Sequence, residues 1–208
     1  DLPATDRPSR MAPMITEPIR VTLMVTRILE QLGVAYLLGG SLASAVHGIM
    51  RATLDADLVA DIRPRHVHSL VDALSGQFYI EEQSIRYALR HRGHFNLIHL
   101  ETMFKVDIFI PAGRPFDAQQ FKRRIRMPVD PDGSATVDIA TAEDTLLAKL
   151  DWYNQGGGVA NRQWLDAVGI IRVQGEALEW EYLHRWAAEL GLAELLSRAV
   201  TAAGGTRG

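Results

Sequence analysis

The run LDADLVADI, Leu54 to Ile62, places two carboxylates, Asp55 and Asp57, one residue apart inside an alternating apolar stretch. On an extended chain Leu54, Ala56, Leu58, Ala60 and Ile62 fall on one face, and Asp55, Asp57, Val59 and Asp61 on the other. Residues two apart on a strand share a face and lie about 6.6 Å apart along it, so both carboxylates can turn to one point. Like charges brought together are costly unless a cation joins them. Carboxylate oxygens suit Mg²⁺, which they hold at about 2.0–2.1 Å. A third aspartate, Asp107 in FKVDIFI, sits opposite in phase to Val106, Ile108 and Ile110. If its strand neighbours the first, three carboxylates meet, the donor set for phosphoryl chemistry with ions about 3.5–4 Å apart. Asp-x-Asp alone is a weak signal, equally the mark of a solvated strand face.

The phosphate half of such chemistry has a candidate upstream. Gly39-Gly40-Ser41 lies between the apolar run VAYLL and the helical pattern SLASAVHGI. A turn of this kind presents backbone N–H groups and a positive helix end to an anion. Glycine lets the backbone approach a phosphate closely. Ser41 is placed to cap its helix and to donate to a triphosphate. Taken alone, Gly-Gly-Ser means only a turn.

The elements that must position these groups can be read in order. Ile19 to Leu32 has helical apolar spacing and stops at Gly33; VAYLL reads as a short buried strand. The helix from Ser41 puts Leu42, Ala45, Val46 and Ile49 on one face. The aspartate strand follows, and Pro64 opens a helix through about Leu74. IRYALRH, HFNLIHL and FKVDIFI read as three strands of a meander. The result is an α+β unit, a mixed β-sheet with packed helices. The stretch from Pro111 to Asp138 reads as loop-rich, with Pro131-Asp132-Gly133 as a turn. Thr141 with Asp144 has the form of a capping box, and from there the chain is helical, broken at Gly156 to Gly158. The expected organisation is a flexible arm over 1–18, the α+β domain over 19–140, a C-terminal helical subdomain over 141–203 and a tail over 204–208, with a cleft between the two main parts.

GGS, a helix, RATLDADL and then KVDIF together resemble the nucleotidyltransferase superfamily of DNA polymerase β type, and most nearly its minimal branch containing the AbiE-type toxin nucleotidyltransferases. AEDTLLAKLDWY followed by NRQWLDAVGI is similar to that branch's Lys-bearing helix and its following Arg-x-x-x-Asp segment, so the resemblance spans about residues 34–171. It implies a nucleotidyltransferase fold and transfer of an NMP from an NTP such as ATP to a hydroxyl, with pyrophosphate released. It implies that Gly39, Gly40 and Ser41 hold the triphosphate, with Lys149 near its phosphates. Asp55 and Asp57 would bind two Mg²⁺ ions, or Mn²⁺, and Asp107 would ligate the second and help deprotonate the acceptor. Toxin relatives imply an RNA or tRNA 3′ end as acceptor and a cognate antitoxin as partner. Where many relatives carry a bulky aliphatic residue between the two aspartates, this chain has Ala56, a matter of packing more than of catalysis.

Other candidates are less specific. Arg51 and Thr53 precede the aspartates, and Arg51 is placed to contact phosphate or to pair with a carboxylate. KRRIR, with Lys122, Arg123 and Arg124, is either an acceptor-binding patch or a solvated edge. Arg162 and Asp166 form an exposed intrahelical pair or frame the cleft with Lys149. His47 reads as a helix-end or packing residue. His91, His94 and His99 do not share a register that makes a metal triad. Trp152, Trp164, Trp180 and Trp186 read as core rather than as base-stacking platforms.

Composition narrows the alternatives. The 208 residues are 47% hydrophobic and 23% charged with a net charge of −3, so a coat of nucleic acid is not expected. With no cysteine there is no disulfide, thiolate nucleophile or Cys-based zinc site. No window reaches the length of a membrane span and the polar opening lacks a signal-peptide core, so a cytoplasmic protein without membrane contact is expected. A non-catalytic nucleotide- or partner-binding regulatory module of the same fold is the main alternative. A metal phosphohydrolase would need histidine ligands that are not suitably placed.

Overall fold

The computed structural model describes residues 16–47, 55–130, 133–159 and 161–204. The expected roles of Arg51 and Thr53 therefore lie outside the described residues, as do residues 1–15 of the arm.

Among the described residues, nine α-helices pack with one seven-stranded sheet. Helix α1 (Glu17–Gln31) begins at the Pro18 turn and buries Val21, Val25 and Leu29 on one side. It is followed by β1 (Tyr36–Leu38), α2 (Gly40–His47) and β2 (Asp55–Ala60). Next come α3 (Val67–Leu74), β3 (Phe78–Tyr79), α4 (Glu82–His91), β4 (His94–His99) and β5 (Lys105–Phe109). Helix α5 (Pro115–Arg123) leads to a hairpin of β6 (Ile125–Pro128) and β7 (Thr136–Ile139). The chain closes with α6 (Ala142–Gln155), α7 (Asn161–Gln174), α8 (Trp180–Glu189) and α9 (Ala193–Ala202).

The sheet order is β3-β4-β5-β2-β1-β7-β6. Its two parallel pairs are β2 with β5 and β1 with β7; the rest are antiparallel. This is the expected α+β class with a mixed sheet. Two apolar clusters hold it. The first takes one face of the sheet, Ala56, Leu58, Val106 and Ile108 among them, with α1, α3 and α4. The second is built by α6 to α9, where Leu146, Leu147 and Leu150 pack on Val168, Ile170, Leu183 and Leu196, joined by Phe116 of α5. The opposite sheet face, which carries the aspartates, looks toward α6.

Three expectations change. IRYALRH is not a strand but most of α4. Ile85, Tyr87 and Leu89 alternate as a strand would, yet Ile85 and Ala88 are the buried pair and Tyr87 is exposed, the spacing of a helix face. A Glu82–Arg86 pair at 2.6 Å supports it, and Arg92 stops it in the left-handed conformation (φ 52). The segment from Pro111 to Asp138 is not mainly loop. Asp117 accepts from the backbone N–H groups of Gly113 and Arg114 and so starts α5. Ser41 does not cap α2, which already begins at Gly40.

Candidate active site

The parallel pairing of β2 and β5 sets Asp57 directly beside Asp107 and Asp55 beside Lys105. With period-2 side-chain alternation, Asp55, Asp57, Lys105 and Asp107 share one sheet face. The Lys105 ammonium lies 2.7 Å from Asp107 Oδ2. That bond, and then the charges of Asp107, Asp55 and Asp57, hold the Lys105 pKa above its usual range against partial burial. As the side chains stand, no three His, Asp or Glu groups among the described residues are gathered closely enough to hold a metal ion. Lys105 is paired with Asp107 on this face.

The glycine turn meets this face from above. Gly39 donates its N–H to the Asp57 carbonyl at 2.8 Å, continuing the β1–β2 ladder by one bond. Gly40 has φ +58, and a Cβ there would lie 1.7 Å from Asp57 Oδ2 and 2.5 Å from its Cγ. Only glycine fits. The Ser41 N–H then donates to the Asp57 carboxylate. Burial first, and then the Asp55 charge, push the Asp57 carboxyl above the ordinary carboxylate range. Asp107 adds to this, while Lys149 and the Ser41 N–H oppose it.

Helix α6 supplies the far wall. Thr141 caps it, accepting from the Asp144 N–H at 3.2 Å; the reciprocal half of the box is replaced by Tyr182, which donates to Asp144 at 2.5 Å. Burial raises the Asp144 carboxyl to about 6, against the Tyr182 bond and the Arg123 charge. One turn on, Lys149 is 4% exposed and pairs with Asp166 of α7, itself 3% exposed, at 2.9 Å. Asp166 is therefore a buried partner of Lys149, not half of an exposed pair with Arg162, and Arg162 stands on the cleft wall.

A cleft of about 510 Å³ lies between the sheet and α5, α6 and α7, and Asp107 and Lys105 are not among its lining residues. Its walls include Gly39, Gly40, Ser41, Asp55, Asp57 and Lys149. They also include residues that the sequence did not assign to this site: Arg92 and His94, Phe109, Arg114 with its partners Asp117 and Asp151, and Trp152. Lys105 was legible, since Lys-x-Asp on a strand must share a face. Trp152 sits three residues from Lys149, the helical spacing that places it on the same wall.

Trp152 also corrects the reading of the tryptophans. Trp164, Trp180 and Trp186 pack on the helical core, whereas Trp152 is 50% exposed beside the cleft. The basic run is drawn inward. Arg123 bridges Glu143 and Glu179 and lies over the Tyr182 ring at 4.0 Å. Arg124 and Arg126 both pair with Asp138. These guanidinium groups brace α5 and β6 against α6, α8 and β7, and Lys122 is exposed. His47 is a packing residue whose Nε2 bonds the Ala140 carbonyl at 2.7 Å. His91, His94 and His99 make separate contacts, with Tyr87, Phe109 and Thr102.

No protein-family model matches the chain, and no curated protein does. Solved structures match it. An antigenic nucleotidyltransferase-like protein from Paracoccidioides brasiliensis is similar over 91% of this chain and 95% of its own, with a TM-score of 0.54 and 17% identity. ANT(2″)-Ia in complex with adenylyl-2″-tobramycin is similar over 85% of this chain and 98% of its own, with a TM-score of 0.51 and 11% identity. The solution structure of the antibiotic-resistance factor ANT(2″)-Ia gives 84% and 96%, a TM-score of 0.50 and 15% identity. At such identities the likeness is one of fold, and the fold is nucleotidyltransferase-like. No helix among the described residues is long and apolar enough to cross a membrane.

Proposed function

We propose that this chain transfers an NMP from an NTP to a hydroxyl acceptor and releases pyrophosphate. The observation that carries this reading is the β2–β5 register, which sets Asp57 beside Asp107, with Asp55 on the same face, under the Gly40–Ser41 turn. The N–H groups and positive end of α2, together with Lys149, are suited to an anionic triphosphate. Asp107 would accept the acceptor's proton once Lys105 has left it, and the acceptor oxygen would attack the α-phosphorus in line as the bond to pyrophosphate breaks.

The donor set fits a hard divalent cation. Its ligands would be carboxylate oxygens, and Asp57 is buried among like charges that Lys149 offsets only in part. Asp55 and Asp57 would hold the ion, joined by Asp107 when Lys105 turns to solvent; such an ion neutralises charge on the transferring phosphoryl group. Lys105→Met should then lower the Tm without divalent ions and enlarge the stabilisation by Mg²⁺, with about tenfold tighter apparent Mg²⁺ binding. Equal Mg²⁺ shifts in both proteins would show that Lys105 does not compete for the site.

The activity is tested with α-labelled NTPs and Mg²⁺ against three acceptors: tRNA, the protein itself and small polyhydroxyl compounds. ANT(2″)-Ia, solved with adenylyl-2″-tobramycin, is a reason to include the last. Asp57→Asn should reduce label transfer by about 10³-fold or more, the loss of roughly 4 kcal/mol of transition-state stabilisation. Stability should move the other way. A carboxyl whose folded pKa is raised favours folding below its unfolded pKa, and that advantage is lost as pH rises through the folded value. Asp57→Asn should therefore match or exceed the wild-type Tm at pH 7 and flatten its decline above the ordinary carboxylate range. Transfer undiminished in Asp57→Asn would end the proposal.

A further inference from the structure

Trp152 stands apart from the other tryptophans. It belongs to neither apolar cluster and keeps half its surface open, although α6 has a leucine-lined core face one turn away. Its ring meets Phe109 nearly edge-on, with centroids 5.5 Å apart and planes at 74°. Phe109 in turn stacks on His94 at 5.2 Å and 29°. Three rings, from α6, β5 and β4, thus form a continuous aromatic wall along one side of the cleft.

The position of that wall is as informative as its chemistry. Trp152 lies one helical turn beyond Lys149, about 4.5 Å along the axis. Phe109 lies two residues beyond Asp107 on the same strand face, about 6.6 Å along the strand. The aromatic wall therefore begins one short step from the groups that surround Asp57, a step of the size of a ribose. Around it are Val59 of β2, on the aspartate face, and Ile110, both lining the same cleft. A half-open tryptophan backed by another ring offers a planar ligand a stacking surface, and such surfaces accept any base because every base has a π-face.

Resting on the nucleotidyltransferase reading, we propose that Trp152, backed by Phe109 and His94, is the platform on which the nucleobase of the bound NTP stacks. The wall selects for an aromatic ring at a fixed distance from the triphosphate and is tolerant of which base supplies it. An aromatic ring on the acceptor would meet the same surface chemistry, and the test separates the two sources.

The 208-residue chain is titrated with ATP and with inorganic tripolyphosphate, which carries the same anionic chain without a ring, both with Mg²⁺. Trp152→Ala should weaken ATP binding about 10- to 100-fold, the range seen on removing a base-stacking side chain, and leave tripolyphosphate binding within about twofold. Trp152→Phe should recover most of the ATP affinity. Because Trp152 is half exposed, both variants should keep near-native Tm values, which checks folding. ATP binding unchanged in Trp152→Ala, or ATP and tripolyphosphate weakened alike, would overturn the platform while leaving the transfer reading intact. An unchanged ATP affinity with a raised acceptor KM would assign the wall to the acceptor instead and overturn the nucleobase assignment. If the wild type binds neither ATP nor tripolyphosphate, both readings fail.

Discussion

Gly40→Ala is expected to abolish nucleotidyl transfer and to destabilise the chain by about 2–5 kcal/mol. Two costs combine. A non-glycine residue at φ +58 costs about 1–2 kcal/mol, and forcing a methyl into filled space typically costs a further ~1–3 kcal/mol. The space is filled by Asp57 itself, with Oδ2, Cγ and Cβ at 1.7, 2.5 and 2.7 Å from the new carbon. Strand β2 is paired on both sides, by β1 and β5, so the backbone of Asp57 cannot retreat cheaply. Its carboxylate must swing away instead, and the Ser41 N–H contact goes with it. For a chain of this size the Tm should fall by roughly 5–15 °C. Gly39→Ala is the matched control. A Cβ at Gly39 would find nothing nearer than the Asp57 carbonyl oxygen at 3.9 Å, so that variant should stay within about 1 kcal/mol of wild type. Thermal denaturation and label transfer measured on both variants check the contrast. Equal behaviour of the two would mean that Asp57 is not seated under the turn.

That contrast shows which parts of the site a sequence can carry. The alternation of Leu54 to Ile62 is local, and one face of β2 is buried as the period demands. The turn before α2 is local too, because glycines and a serine between a strand and a helix have few uses. The pairing of Asp57 with Asp107 is not local. Fifty residues separate them, and only the crossing of α3, β3, α4 and β4 brings β5 parallel to β2. Helix α4 was obscured because Ile85, Tyr87 and Leu89 fit a period of two as well as Ile85, Ala88 and Leu89 fit a helix face. The basic run could not be resolved from charge alone, since the acids that neutralise it come from elsewhere. Glu143 and Glu179 meet Arg123, while Asp138 meets Arg124 and Arg126. Trp152 was hidden for the converse reason. Its spacing on α6 resembles that of a core residue, and only the placement of α6 over the sheet leaves it facing the cleft.

Lys149→Met is expected to be the most destabilising change in the helical half and also to stop transfer, and a second substitution separates the two effects. Lys149 and Asp166 are both almost fully buried, 2.9 Å apart, and they tie α6 to α7. Removing one partner of a buried pair typically costs about 3–5 kcal/mol, because the other charge stays behind in a poorly solvating interior. At this chain length that is a fall in Tm of roughly 6–20 °C. Replacing both charges with apolar groups of similar volume removes the stranded charge. Lys149→Met combined with Asp166→Leu should therefore recover most of the lost stability. Transfer should not return. Lys149 is the cation that opposes the like-charge crowding on Asp57, and its place between α6 and the glycine turn suits it to neutralise a triphosphate. Asp166 accepts from the Lys149 ammonium, so its replacement is expected to act on activity through that ammonium. The measurement is a double-mutant cycle in Tm or denaturant midpoint, with NTP binding followed alongside. A double variant that regains both stability and NTP affinity would reduce Lys149 to a brace between helices. One that regains stability alone would place the lysine at the phosphates, with the aspartate holding it there.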